Sequence, residues 1–250
     1  MRTARMTMKM MGMTMRDEQY RFSPLALMRQ QSWLSPSFPT GSYSYSHGLE
    51  WVVEAEHIRD RASLVDWLEA DLRYGSGRNE AIFFSVSWRC ALDADPARLL
   101  AIAELAAAFR GTSEFALETS QQASACLAVL RRVWPHSSLD ALSQMLDERS
   151  VQPALAVVLG VSSSRQCIPI TLALPAFLQS YVANLVMAGV RLIPLGQTEG
   201  QLAIAELEGA VLAISTQCED ATVDDLGSAA FMVDLASMAH ETQYTRLFRS

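Results

Sequence analysis

Histidine is the residue type whose side chain could do acid–base or metal chemistry near neutral pH. The chain has four, His47, His57, His136 and His240. No two of them stand four residues apart, and none has a cysteine at the spacing of a metal-binding pair, so a metal cage is not predicted. His47 or His240 could still act as the base of a helical hydrolase or as a transient metal ligand, although each lies in a segment more typical of a contact surface.

Other signatures of catalysis are missing from the sequence. It contains no glycine-rich phosphate loop of either common pattern and no G-x-S-x-G nucleophile elbow. The acidic pairs Glu54/Glu56 and Glu206/Glu208 are two residues apart, which places their carboxylates on different helix faces. The sequence therefore favours a binding role over an enzymatic one.

A run over residues 37–50 differs in composition from the rest of the chain. It combines a proline and two glycines with serines and aromatic residues, and it predicts a shaped turn that leads into a helix from about Tyr45. Uncharged hydroxyls and flat aromatic rings are favoured at protein interfaces. The candidate contact residues are Phe38, Pro39, Gly41, Tyr43, Ser46, His47, Gly48 and Glu50.

A second run, residues 192–201, lies between the most apolar stretch and its successor. Its proline, glycines and glutamines predict a turn between two helices in which amide side chains cap exposed backbone groups. The residues that carry this prediction are Pro194, Gln197, Gly200 and Gln201.

A third run ends the chain at residues 240–250. Tyr244, Leu247 and Phe248 follow helical spacing, which is unusual because chain ends are commonly polar. Covering these side chains would release several kcal/mol at ~25 cal/mol per Å2. Either the tail folds back on its own domain or a partner covers it.

The elements that must position these runs are helices. Apolar residues recur at helical spacing almost throughout, no segment alternates with period two, and the sequence predicts a single all-α domain of about ten helices over residues 21–250. Helices are predicted at about 22–34, 45–55, 63–74, 79–92, 96–109, 113–134, 138–147, 153–160, 170–190, 201–217 and 229–240.

Composition restricts the partners. Half of the 250 residues are hydrophobic, the net charge is -7 and no basic block occurs, which argues against nucleic acid or an anionic membrane as partner. Prolines and polar residues interrupt the apolar stretch 168–195, which predicts a buried core helix. Cys90, Cys126, Cys167 and Cys218 are widely spaced, as expected for a reducing cytoplasm.

Residues 1–20 form a Met-rich extension that we expect to be disordered. Seven of the twelve methionines lie within the first fifteen residues. Their thioethers could bind Cu(I), but an upstream start codon explains them as well. The extension lacks the continuous apolar core of a secretory signal.

The three runs, in this order, resemble motifs of the urease accessory protein UreF family. The first resembles Phe-Pro-x-Gly-x-Tyr-x-x-Ser-x-Gly-x-Glu, the second Pro-Leu-x-Gln-x-x-Gly-Gln, and the third His-Glu-x-x-Tyr-x-Arg-Leu-[aromatic]-x-Ser. The matching residues are Phe38, Pro39, Gly41, Tyr43, Ser46, Gly48 and Glu50; Pro194, Leu195, Gln197, Gly200 and Gln201; and His240, Glu241, Tyr244, Arg246, Leu247, Phe248 and Ser250. Ala116 and Ala123 depart from an Arg and a Gly of the family, which bears on a dimer contact or close helix packing.

The resemblance implies a cytoplasmic, all-α, non-enzymatic protein for the maturation of nickel urease. Such a protein forms a homodimer, binds UreD (also called UreH), recruits and modulates the GTPase UreG, and meets apo-urease, with an internal passage proposed for nickel. Nickel and GTP are handled by the complex, and no cofactor is implied for this chain. By position, the turn with Tyr43 at its tip would face the GTPase, the tail would dock on UreD, and the Pro194–Gln201 segment would support the fold. The alternatives are the helical hydrolase and a direct nickel carrier.

Overall fold

Eleven α-helices account for most of residues 23–249, the part of the chain that the computed structural model describes. They are α1 (Pro24–Trp33), α2 (Leu49–Glu54), α3 (Arg61–Tyr74), α4 (Ser76–Leu92), α5 (Pro96–Ala108), α6 (Ser113–Val133), α7 (Ser137–Arg149), α8 (Leu155–Arg165), α9 (Ile170–Leu192), α10 (Gln197–Cys218) and α11 (Phe231–His240). The described residues contain no strand, so the all-α prediction is confirmed. The predictions for the Met-rich extension and for Ser250 lie outside the described residues.

Helices α4 and α8 pack against each other at the centre of the core. Helix α4 is buried on most sides, and Ile82, Phe83 and Phe84 are almost inaccessible. Gly160, predicted to end a helix, instead lies inside α8, where a Cβ would stand 2.5 Å from the carbonyl oxygen of Phe84. The glycine permits close approach of two helices and does not terminate one.

Helix α9 is long and apolar enough to cross a membrane by length and composition alone. One of its faces is buried in the core, where α9 packs on α10 and α4. This face includes Ala173, Leu174, Phe177, Leu178, Val182, Leu185, Val186 and Ala188. Gly189 was predicted to mark the end of this helix but lies inside it. A Cβ at residue 189 would stand 2.7 Å from the Leu64 side chain, so the glycine permits close packing against α3.

Helices α5 and α6 begin at the predicted residues, and α1 begins two residues after its predicted start. Ser23 caps α1 with Pro24 in the first turn, Asp95 caps α5 with Pro96 after it, and Thr112 caps α6. In each case the side-chain oxygen accepts a hydrogen bond from a backbone N–H of the first turn.

Other predicted boundaries are wrong by a few residues. Helix α3 begins at Arg61, because Asp60 is the cap and Ser63 is the third residue of a capping box. Gly77 lies within α4, which begins at Ser76. Helix α7 begins at Ser137 under a cap from His136, one residue before the predicted start.

Candidate partner-binding site

The turn over residues 38–50 is defined by left-handed backbone at its two ends. Gly41 has φ +75°, a short 3-10 turn covers Ser42–Ser44, and His47 and Gly48 have φ +57° and +79°. The helix predicted from Tyr45 therefore begins only at Leu49. Gly48 also packs against α11, where a Cβ would lie 2.9 Å from the backbone nitrogen of Ser237. Helix α11 can approach the turn because residue 48 has no side chain.

The turn exposes few of its candidate contact residues. Tyr43 is 70 % exposed, and Pro39 is also exposed. Phe38 is buried and stacks on Trp134 with ring centroids 6.4 Å apart. Ser46, His47, Gly48 and Glu50 are buried. In the isolated chain these four face inward, so a role at the surface would be indirect, through the shape of the turn.

The C-terminal tail divides its apolar side chains between the core and the solvent. Phe248 is buried, whereas Tyr244 is fully exposed and Leu247 is 67 % exposed. Glu241 and Arg246 are exposed as well. Of the two possibilities left by the sequence, folding back holds for Phe248, and two large apolar side chains remain uncovered.

Glu50 joins the turn to the tail. Its Oε1 accepts a hydrogen bond from the backbone N–H of Leu247 at 2.6 Å, and its Oε2 accepts one from that of Phe248 at 2.9 Å. The backbone N–H of Arg249 donates to the carbonyl of Ser44 at 2.8 Å. Hydrogen bonds to a buried carboxylate are among the stronger ones, so the tail is anchored where α2 begins.

His240 extends this anchor to α6. Its ring is fully buried, with Nε2 3.2 Å from Glu50 and Nδ1 2.8 Å from an oxygen of Glu114. Arg246 lies 3.2 Å from the other oxygen of Glu114. Burial raises the pKa of Glu114, while His240 and Arg246 lower it in part. Because its side chain is inaccessible, His240 holds the tail in place and does not present a ring to a partner.

Arg191, which the sequence analysis did not single out, contacts both the turn and the tail. Its Nη1 donates to the carbonyl of Tyr43 at 2.7 Å, and its guanidinium lies 4.3 Å from the ring centroid of Phe248. The only sequence signal was its position at the end of the apolar helix, three residues before Pro194.

The second run forms less of a turn than predicted. Helix α10 begins at Gln197, so Gln197, Gly200 and Gln201 lie in its first two turns, and α10 has no side-chain cap. Both glutamines are exposed, and the predicted amide capping is wrong. Gly200 is buried, and a Cβ there would lie 2.8 Å from Val190 of α9. The absence of a side chain at residue 200 permits close approach of α10 to α9.

A second polar cluster lies beneath the turn. His47 Nδ1 is 3.1 Å from Glu118 Oε2, its Nε2 is 2.6 Å from Ser76 Oγ, and its ring stacks on Phe115 at 4.0 Å. Burial lowers the pKa of His47, but Glu118 and other carboxylates outweigh burial, and the pKa is raised. His47 thus lies between the hydroxyl of Ser76 and the carboxylate of Glu118, as the histidine of a hydrolase triad does. However, Ser76 donates its hydroxyl proton to Asp71 Oδ1 at 2.7 Å, which directs that proton away from His47.

A cavity of about 380 Å3 borders this cluster. Aromatic side chains line it together with Glu80, Glu118, Arg110 and Asp234. Burial, and secondarily Asp71, raise the pKa of Asp234. Within residues 23–249 no group of three or more His, Cys, Asp or Glu side chains is arranged to hold a metal ion.

Comparisons with known proteins agree on one family. A family model described as UreF matches residues 58–208. The chain is 45% identical to a urease accessory protein UreF of Rhodopseudomonas palustris (strain BisB5). The alignment spans 225 residues, which are 90% of this chain and 91% of that protein. Proteins of the same description from Bradyrhizobium diazoefficiens and Granulibacter bethesdensis are each 46% identical over 90% of this chain, and 92% and 94% of those proteins are covered.

Proposed function

We propose a function from an established premise, namely that the chain belongs to the UreF family of urease accessory proteins. It therefore takes part in the maturation of urease, and its family is non-enzymatic. The helical hydrolase considered from His47 and His240 is dropped on this ground.

We infer that the chain is a scaffold with two contact areas, one on the turn and one on the tail. The turn, through Tyr43 and Pro39, would contact the GTPase UreG, and the tail, through Tyr244 and Leu247, would dock on UreD. The observation that carries the proposal is the exposure of Tyr43 and Tyr244 on two segments that Glu50 binds together. Large exposed aromatic rings on rigid supports are typical binding hot spots.

The buried motif residues would act by position. Ser46, His47, Gly48 and Glu50 shape the turn from within, and His240 with Phe248 fixes the tail. This proposal accounts for the mixture of buried and exposed residues in both runs without requiring each to touch a partner.

Single exposed tyrosines test the two contact areas separately. Tyr43→Ala should weaken binding of the GTPase by about 2 kcal/mol, a ~30-fold loss, and leave UreD binding unchanged. Tyr244→Ala should do the reverse. Tyr74→Ala, at a ring that is 57 % exposed at the end of α3 and lies in neither run, is the matched control and should affect neither. Pull-down and calorimetric titration with each partner measure the losses; retention of both partners by both variants would refute the placement.

The remaining partner predictions concern the assembly. We propose a homodimer that acts in the cytoplasm, meets apo-urease together with UreD and UreG, and leaves nickel insertion and GTP hydrolysis to the complex. Sedimentation of the purified chain tests the dimer, in particular whether Ala116 and Ala123 permit it. The direct nickel carrier remains the alternative, and equilibrium dialysis with Ni2+ would favour it if binding by the isolated chain were micromolar or tighter.

A further inference from the structure

His47 occupies a position where both ring nitrogens face hydrogen-bond acceptors. The two oxygens nearest Nε2 are Ser76 Oγ at 2.6 Å and Tyr181 Oη at 3.2 Å. Ser76 donates its hydroxyl proton to Asp71 Oδ1, and Tyr181 donates its own to Asp71 Oδ2, each at 2.7 Å. Each hydroxyl has a single proton, so both oxygens can only accept a hydrogen bond from His47.

The other ring nitrogen meets a carboxylate. Nδ1 lies 3.1 Å from Glu118 Oε2, and an ionised carboxylate can only accept. Both nitrogens must therefore donate, which only the imidazolium can do. A neutral ring would place a lone pair against Glu118 or against Ser76 and Tyr181, and one contact would become repulsive.

Every element around His47 contributes charge or polar groups to this balance. Asp71 comes from α3, Ser76 and Glu80 from α4, Glu118 from α6, Tyr181 from α9 and Asp234 from α11, while Arg110, before α6, pairs with Glu80. The carboxylates outnumber the cation Arg110, so a positive charge on the buried ring is compensated.

The backbone at this site needs such support. His47 and Gly48 are consecutive left-handed residues, and only the glycine adopts this conformation without steric cost. The ring of His47 stacks on Phe115 with ring centroids 4.0 Å apart, and Tyr181 is nearly perpendicular to it with centroids 5.8 Å apart. These contacts hold a strained residue four positions after the exposed Tyr43.

We propose that His47 is a proton-operated clamp. The imidazolium holds the turn that carries Tyr43, and loss of its proton as the pH rises loosens residues 42–48. The clamp is a property of this chain alone, whereas its consequence for GTPase binding rests on the proposed function.

The sign of the effect follows from the raised pKa of His47. The clamp is fully engaged below about pH 6.5, the ordinary pKa of histidine, and is lost as the pH rises through the raised folded pKa. Between these limits the opening equilibrium of the turn should increase by up to about tenfold per pH unit, because one proton is released.

Hydrogen exchange of the amides of residues 42–48, corrected for intrinsic rates, measures this opening between pH 5.5 and 9. The wild-type chain should show the rise, His47→Gln should show opening that does not vary with pH, and His57→Gln, at an exposed ring, should behave as wild type. Opening that is independent of pH in the wild type, or the same rise in His47→Gln, would overturn the clamp.

A second measurement needs no variant beyond those used for assignment. NMR titration of the ring protons reports the pKa of His47 in the intact chain, and a value at or below 6.5 would also overturn the proposal. GTPase affinity should fall over the same pH range. If the turn opens as expected while that affinity stays constant, the assignment of the turn to the GTPase is refuted and the clamp is not.

Discussion

Glu50 shows how one side chain can be essential to a surface that it does not reach. Its carboxylate is almost inaccessible, yet it accepts hydrogen bonds from two backbone amides of the tail and lies 3.2 Å from His240. An acceptor with two equivalent oxygens is required because the amides of Leu247 and Phe248 approach different oxygens.

Glu50→Gln should release the tail. The amide group of Gln offers one oxygen and opposes the other donor with its own N–H, and a lost hydrogen bond to a charged group costs about 1.5–3 kcal/mol. Trypsin cleavage after Arg246 should then accelerate at least about tenfold, since 1.4 kcal/mol corresponds to that factor. Glu208→Gln, at an exposed residue of α10, is the control. Equal cleavage rates in both variants would show that Glu50 does not anchor the tail.

Arg191 should be coupled energetically to Phe248. Its guanidinium both donates to the Tyr43 carbonyl and lies over the Phe248 ring, so Arg191→Lys loses the planar contact while keeping the charge. In a double-mutant cycle with Phe248→Leu, urea unfolding should give a coupling energy of about 0.5–1 kcal/mol. Additive effects of the two substitutions would contradict the contact.

At the scale of elements, glycines determine how closely helices approach the turn. Gly48 and Gly41 both have left-handed backbone, but only Gly48 is in close contact with another element, the backbone of α11. A substitution at Gly41 therefore tests the cost of backbone strain alone, whereas one at Gly48 tests strain together with a steric clash.

Gly41→Ala should destabilise the fold by about 1 kcal/mol, the cost of a left-handed L-residue. Gly48→Ala should cost about 3 kcal/mol, because the new Cβ also displaces α11. Urea unfolding monitored by circular dichroism gives both values. If the two substitutions cost the same, the close approach of Gly48 to Ser237 is not a significant constraint.

The elements were predicted well where local chemistry determines them and less well where packing does. Caps such as Asp95 and Thr112 act within one turn of chain, so their sequence is sufficient. Gly160 and Gly189 were interpreted as helix ends, since a glycine needed for helix–helix contact has the same sequence signal as one that ends a helix. The amide caps predicted for Gln197 and Gln201 failed because both side chains face solvent.

For the molecule as a whole, the three runs could be located from the sequence, but the contact between the turn and the tail could not be predicted. The turn and the tail are about two hundred positions apart, and the prediction treated them as two surfaces. Glu50, His240 and Arg191 join them through contacts between distant segments, which no periodicity or spacing encodes. Glu114 likewise had no signal as a buried partner of His240, because on sequence it is an ordinary acidic residue in the first turn of a helix.

The tail supports the turn, and one comparison tests this relation most directly. Hydrogen exchange is measured at residues 45–52 in the intact chain and in a chain that ends at residue 240. Removing the tail takes away the two backbone N–H donors to Glu50 and the Phe248 ring that contacts Arg191. Protection of these amides should therefore fall by at least tenfold, while the α4–α8 core is unchanged. Unchanged protection at residues 45–52 would contradict the account and leave the turn and the tail as independent surfaces.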